Sequence, residues 1–420
     1  MKIWSGSAGE ELENKFYDNI IRDDIDADKN MIKYEIINML AYNVAMKAPC
    51  SVIKALLDIY KNGIELKLDL EDVHGNIEDF IIRRTGFKNF RMFLSRNEQV
   101  HSDLNLFIID KIIEIEKILY EIIKVIPGFN GRIPGYTHYR QAMPMSVNTY
   151  INYIKSIFYH HFNNLDSFLM DLREMPLGYG SGYGSFSPVD FNQVSNLLNM
   201  EKNIKNPVYS SLRYIKNIEN IVYLISSLAV DISRICQDII IYSENDIITI
   251  PPEYTTGSSL MPNKINPDYL ELFQGISAES ISMLSFIMQS ELNKTTGYHR
   301  DFQIVKDRTI SFINNFERIM LGLKDLLYNI KFNEKNIKND VYATYNAWLA
   351  FKNGMDWKSA YSYAGNKIKN GEVLDEYQPG DLTDYIDVNE LNKRLNHNIK
   401  IFIEPREKLI AYAENLCKNI

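Results

Sequence analysis

Residues 104–126 read LNLFIIDKIIEIEKILYEIIKVI, and Pro127 follows. Leu104, Phe107, Ile108, Ile112, Ile115, Ile118, Leu119, Ile122, Ile123 and Ile126 recur mostly at intervals of three and four, the period of one helix face. The β-branched content favours strands by propensity alone, but a helical period sustained over this length outweighs it. Asp110, Lys111, Glu114, Glu116, Lys117, Glu121 and Lys124 interrupt the apolar run, which is too much charge for a membrane span. The stretch is predicted to be a soluble amphipathic helix ended by Pro127.

The same pattern spreads outward. From about Ser210 to Tyr242, Leu212, Ile215, Ile218, Ile221, Val222, Ile225, Leu228, Ala229, Ile232, Ile235 and Ile239 form a second stripe. No proline lies between Pro49 and Pro127, Pro207 and Pro251, or Pro267 and Pro379, so long helices can run there. The blocks 146–173, 267–294 and 309–331 bring the expected long helices to five. A helix of thirty residues spans roughly 45 Å, more than one small domain needs, and such helices pack in a shared bundle. The fold class expected is all-α, a long central helical bundle with smaller helical regions at either end.

With 420 residues, 45% of them apolar, the chain can bury a large core. Its net charge of −8 argues against a nucleic-acid surface, and the partner expected is a small molecule. Three cysteines, Cys50, Cys236 and Cys417, stand far apart and outside any CxxC pattern, so neither a disulfide framework nor a metal site is expected. Glu10 and Glu11 interrupt the start before a signal peptide could form. Reduced thiols and a cytoplasmic location follow as expectations.

Chemistry concentrates in a few segments. Thr256 to Asp268 reads TGSSLMPNKINPD, which sets a hydroxyl, Ser258, beside a cation, Lys264, and an amide donor, Asn266, in a turn where Gly257 permits unusual backbone angles. Pro134-Gly135-Tyr136-Thr137-His138 offers a hydroxyl and an imidazole, the side chain that shuttles protons near neutrality. Ser95-Arg96-Asn97-Glu98-Gln99-Val100 presents a guanidinium fork and an amide. Gln303 and Lys306, in the segment 297–306, would share a helix face near Tyr298. The run Pro176 to Ser185, PLGYGSGYGS, lacks the Gly-Lys-Ser/Thr of a phosphate loop and is expected to be flexible backbone lining a pocket.

The Ser258 loop resembles the GSSxMPxKxNP signature of the fumarase/aspartase superfamily. From near Trp4 to about Lys369 the chain is most similar there to the argininosuccinate lyases, whose PGYTHLQ and SRNDQV segments match those around His138 and Arg96. That resemblance implies anti β-elimination of fumarate from an N-substituted aspartate. Ser258 would be the base, Lys264 and Asn266 would stabilise the aci-carboxylate, and His138 paired with Glu271 would protonate the leaving nitrogen. Arg96, Asn97, Thr137, Asn266, Tyr298, Gln303 and Lys306 would hold substrate, together with Asn19, where those lyases carry a serine. His74 falls at a family motif behind these ligands. The resemblance calls for no metal or cofactor. It implies regions 1–95, 96–340 and 341–420, and a homotetramer with a twenty-helix core whose sites are each built by three subunits.

Several positions depart from the family pattern. Arg91-Met92-Phe93-Leu94 replaces a polar approach to the Arg96 segment, Ile265 a second lysine, and His299-Arg300 an Asn-Lys pair. They leave elimination intact and open a second reading, a lyase with the same fumarate half and a different leaving amine. A silent structural relative has no need of Ser258, Lys264, Asn266, His138 and Glu271 together. Tyr298, Gln303 and Lys306 disfavour a fumarase or an adenylosuccinate lyase.

Overall fold

The computed structural model describes residues 25–201, 206–334 and 336–418. Helices α1 (Ile32–Ala45), α2 (Cys50–Asn62) and α3 (Val73–Thr85) precede α4 (Arg96–Val125). A hairpin of β1 (Arg132–Thr137) and β2 (Arg140–Ser146) leads into α5 (Val147–Asp171) and the short α6 (Phe191–Leu198). Next come α7 (Pro207–Glu244), β3 (Ile248–Thr249), β4 (Thr256–Gly257), β5 (Ile265–Asn266), α8 (Asp268–Ser290), α9 (Phe302–Asn329) and β6 (Lys331–Phe332). The chain ends with α10 (Ala343–Lys352), α11 (Trp357–Lys369), α12 (Val388–Asn398) and α13 (Glu404–Leu416). The fold is mostly helical, as expected, and among the described residues six short strands form three two-stranded antiparallel ladders.

The five long helices are α4, α5, α7, α8 and α9. Three of them, α4, α7 and α9, begin earlier than apolar periodicity indicates. Helix α4 starts at Arg96 because Ser95 and Glu98 close a capping box, Ser95 N donating to Glu98 Oε1 at 2.7 Å. Helix α7 starts at Pro207, whose missing N–H costs nothing at that position, while the Asn206 side chain accepts from Val208 N and Tyr209 N. Packing of α7 on α8 and of α4 on α5 and α9 closes the bundle. Its centre is the fully buried stripe of Ile108, Ile112, Ile115, Leu119 and Ile122 against Ile218, Ile221, Val222 and Ile232. Burying each such side chain is worth about 1.5–3 kcal/mol, several times the few tenths that isoleucine loses in helix propensity, so tertiary packing decides.

Past the bundle, Val341, Tyr342 and Leu374 form a small separate core beside α10 and α11. Helices α12 and α13 do not stay there. They return to α4 and to α1, α2 and α6 respectively, and Cys50 and Cys417 form a disulfide with Cα atoms 5.5 Å apart. This corrects the expectation of unpaired thiols. Spacing cannot foresee a bond across a sequence separation of 367, made only because α13 lies along α2. Cys236 is free and buried, and no described helix is long and apolar enough to cross a membrane.

Candidate active site

Three helix starts converge on a cavity of about 370 Å³. Asp72, His74, Arg96, Asn97, Tyr298, Gln303 and Lys306 are among the side chains that line it. Asp72 caps α3, its Oδ1 accepting from Gly75 N at 2.7 Å, and its Oδ2 lies 3.1 Å from Arg96 Nε. The Arg96 and His74 cations hold the Asp72 carboxyl well below the usual carboxylate range, against the cost of burial. Arg96 Nη1 is buried and has no hydrogen-bond partner among the described residues, so half of the guanidinium fork is left for a ligand.

Lys306, in the first turn of α9, is buried and paired with Asp28 at 2.6 Å, while the other oxygen of Asp28 accepts from Val73 N at 2.9 Å. Arg300 bonds Glu71 at 2.8 Å on the rim. Cations and amides thus face a cavity that also offers Asp28 and Glu71 as acceptors, a lining suited to an ammonium together with carboxylates.

The glycine-rich run is a clamp rather than flexible backbone. Gly178 N and Gly180 N donate to Glu98 Oε2 at 2.6 and 3.1 Å, Tyr179 OH donates to Asn97 O at 3.0 Å, and Ser181 Oγ meets Ser95 Oγ at 2.5 Å. Gly178 has φ +111°, and a Cβ there would stand 3.2 Å from the ring of Phe191. The run therefore fixes the α4 start, which carries Arg96 and Asn97. A second cavity of about 320 Å³ shares Asn97, Tyr214 and Tyr298 with the first, and Tyr179, Tyr209 and Phe302 also line it.

Six expected catalytic or binding residues stand apart from this cavity. Ser258, Lys264 and Asn266 belong to a loop whose base is a small ladder, Thr256 facing Asn266 and Gly257 facing Ile265. Gly257 is thus a strand residue without the unusual backbone angles expected of it, and the turn is made by Ser258 Oγ accepting from Leu260 N and Met261 N at 3.2 and 3.0 Å. Thr137 ends β1, and His138 and Tyr139 form the two-residue turn of the hairpin at φ 52° and 59°. Glu271 is exposed in the first turn of α8. Among the described residues no hydrogen bond or ion pair joins His138 to Glu271, and none of these groups lines either cavity. Asn19 lies outside the described residues.

Sequence reasoning passed over Asp28, Asp72, Glu35 and Asp103. A signal existed for the last: Arg96, Gln99 and Asp103 recur at three and four, a polar stripe on a helix otherwise apolar at that spacing. Asp28 sits in the acidic stretch DDIDAD, where composition cannot tell a buried carboxylate from solvated ones.

A family model described as lyase matches residues 88–281, which hold the Arg96, His138 and Ser258 segments. The argininosuccinate lyase of Thermotoga neapolitana is 28% identical over 392 residues, 87% of this chain and 98% of the relative. That of Bacteroides fragilis is 26% identical over 402 residues, 90% of each chain. The chain is similar to argininosuccinate lyases of the fumarase/aspartase superfamily.

Solved structures share its fold. An EDDS lyase in complex with formate superposes with a TM-score of 0.69 at 14% identity, covering 95% of this chain and 88% of its own. A class II fumarase from Schistosoma mansoni gives 0.67 at 14% identity, covering 92% and 91%.

Proposed function

We propose that the chain is an argininosuccinate lyase, catalysing the reversible anti β-elimination of argininosuccinate to fumarate and arginine. The observation that carries this reading is the single cavity holding Arg96, Asn97, Tyr298, Gln303 and Lys306 in a chain whose curated relatives bear that name. Ser258, as alkoxide, removes a Cβ proton beside a carboxylate. Lys264 and Asn266 stabilise the doubly charged aci-carboxylate, and one such positioned donor contributes about 3 kcal/mol. His138, oriented by Glu271, protonates the departing guanidinium nitrogen. Arg96, Asn97 and Thr137 hold the succinyl half, and Tyr298, Gln303, Lys306 and Asn19 the amino-acid half. The scheme uses no cofactor.

Assembly completes the site. Helices α7, α8 and α9 expose Tyr223, Leu272, Ile281, Phe286, Met288 and Leu321, with Leu272 66% accessible, and nothing among the described residues covers them. A homotetramer with a twenty-helix core would bury these faces and bring the Ser258 loop of one subunit and the His138 hairpin of another to the Arg96 cavity of a third. Regions 1–95, 96–340 and 341–420 are its proposed divisions, with the tail of the third returning to the first. A cytoplasmic location belongs to the same reading.

Purified protein incubated with argininosuccinate should release fumarate, followed by its ultraviolet absorbance, and Ser258→Ala should abolish release while still binding substrate. Absence of fumarate from argininosuccinate, with release from another N-substituted aspartate, would favour the lyase of a different amine that the Arg91 to Leu94 departure leaves open.

A further inference from the structure

Behind the cavity lies a cluster that the elimination scheme does not use. Glu35 on α1, His74 on α3 and Asp103 on α4 are at most 2% accessible, and the facing oxygens and nitrogen of the three lie within 4.8 Å of one another. His74 Nε2 is 3.0 Å from Asp103 Oδ2 and 3.7 Å from Glu35 Oε2, while its Nδ1 is 3.5 Å from Asp72 Oδ2. Asp103 Oδ1 accepts from Asn38 Nδ2 at 2.6 Å, and Glu35 Oε1 accepts from Gln99 Nε2 at 3.0 Å. Beyond Asp72 stands Arg96, so the chain of contacts runs from the interior to the guanidinium fork.

Charge balance decides the state of this chain. Three buried carboxyl groups, Glu35, Asp103 and Asp72, face one guanidinium and one imidazole, and three buried anions against a single cation would be costly. Among the described residues Glu35 Oε2 accepts no hydrogen bond from a donor side chain or backbone N–H, and it faces Asp103, the arrangement in which two acids share one proton.

We infer that Glu35, Asp103 and His74 form a positioning device for Arg96: Glu35 is a neutral acid, Asp103 is a carboxylate, and His74 is a permanent imidazolium fixing Asp72 beneath the guanidinium. The electrostatics agree. Burial and the Asp103 charge raise Glu35 well above the usual carboxyl range, and the carboxyls that face His74 raise it above the usual imidazole range against the pull of burial. Arg96 and Asp72 are the charged groups on the cavity side, with Lys306 and Arg300 across the cavity paired to Asp28 and Glu71. The inference rests on the proposed role of Arg96 as the ligand of a substrate carboxylate.

Two isosteric variants test it with opposite expected results. Glu35→Gln replaces an already neutral group and should leave KM within about twofold of the parent. Asp103→Asn removes the charge that keeps His74 protonated and should raise KM about tenfold or more with kcat changed far less, the pattern of lost uniform binding. Solid-state ¹⁵N spectra of the histidine-labelled protein give a reading that needs no turnover. One imidazolium signal, absent from His74→Gln, should persist from pH 6 to pH 8.5 in the parent and in Glu35→Gln, and should be lost by pH 8.5 in Asp103→Asn. Titration of that signal between pH 6 and 8 in the parent, a silent Asp103→Asn beside a crippled Glu35→Gln, or a stoichiometric divalent cation held by the three side chains would overturn the inference. Loss of elimination activity with an unchanged imidazolium signal would count against the argininosuccinate reading instead.

Discussion

Tyr139 is the least comfortable residue of the site. It and His138 occupy a two-residue hairpin turn that requires positive φ at both positions, where glycine or asparagine is preferred, and Tyr139 is 76% exposed with little packing to hold it. Strain of about 1 kcal/mol is expected there. Tyr139→Gly should raise the melting temperature slightly, and if the ring seats in a neighbouring subunit it should lower kcat at the same time. Glu116 makes a second prediction. Burial pushes its carboxyl up to about 8, against the pull of the Asn398 amide that bonds it at 3.0 Å. The folded protein retains this proton while the unfolded chain releases it near 4.5, so the stability difference is absent below pH 4.5, and stability is lost progressively as pH rises to about 8. Glu116→Gln removes that loss. Its stabilisation over the parent, on the order of 2 kcal/mol by chemical denaturation, should appear at pH 8.5 and vanish near pH 4.

At the scale of elements, the start of α4 matters most, because Ser95, Glu98 and the glycine clamp jointly aim Arg96. Ser95→Ala should destabilise by about 1 kcal/mol, the usual worth of an N-cap, and should also raise KM, which an ordinary surface cap would not do. Apolar periodicity was enough to locate all five long helices, because a buried stripe repeats at every turn. It missed the true beginnings of α4 and α9, where the first turns carry polar side chains facing a cavity instead of a core. The Arg96, His138, Ser258 and Gln303 segments were legible as motifs, each within a few residues. Their meeting was not: Asp28, Asp72 and Asp103 become partners of Lys306, Arg96 and His74 only through tertiary contact, as Cys50 does of Cys417.

For the whole molecule, the separation of Ser258 and His138 from the Arg96 cavity makes a test of assembly possible. If each site draws its base and its acid from different subunits, co-expressing Ser258→Ala with His138→Asn should restore a measurable fraction of activity. Either variant alone should stay inactive, and size-exclusion chromatography with light scattering should report a tetramer. Mixed preparations as inactive as their parents would place the whole site within one chain.

Helix α13 packs on α1 and α2 as well as on α6, although α1 and α2 are made early and α13 long after them. During synthesis the ribosome therefore holds back the piece that completes the opening third of the polypeptide, and that third emerges with an uncovered greasy groove. A nascent chain arrested before Glu404 should recruit chaperones and remain sensitive to protease in residues 32–62, whereas release of the finished chain should protect them at once.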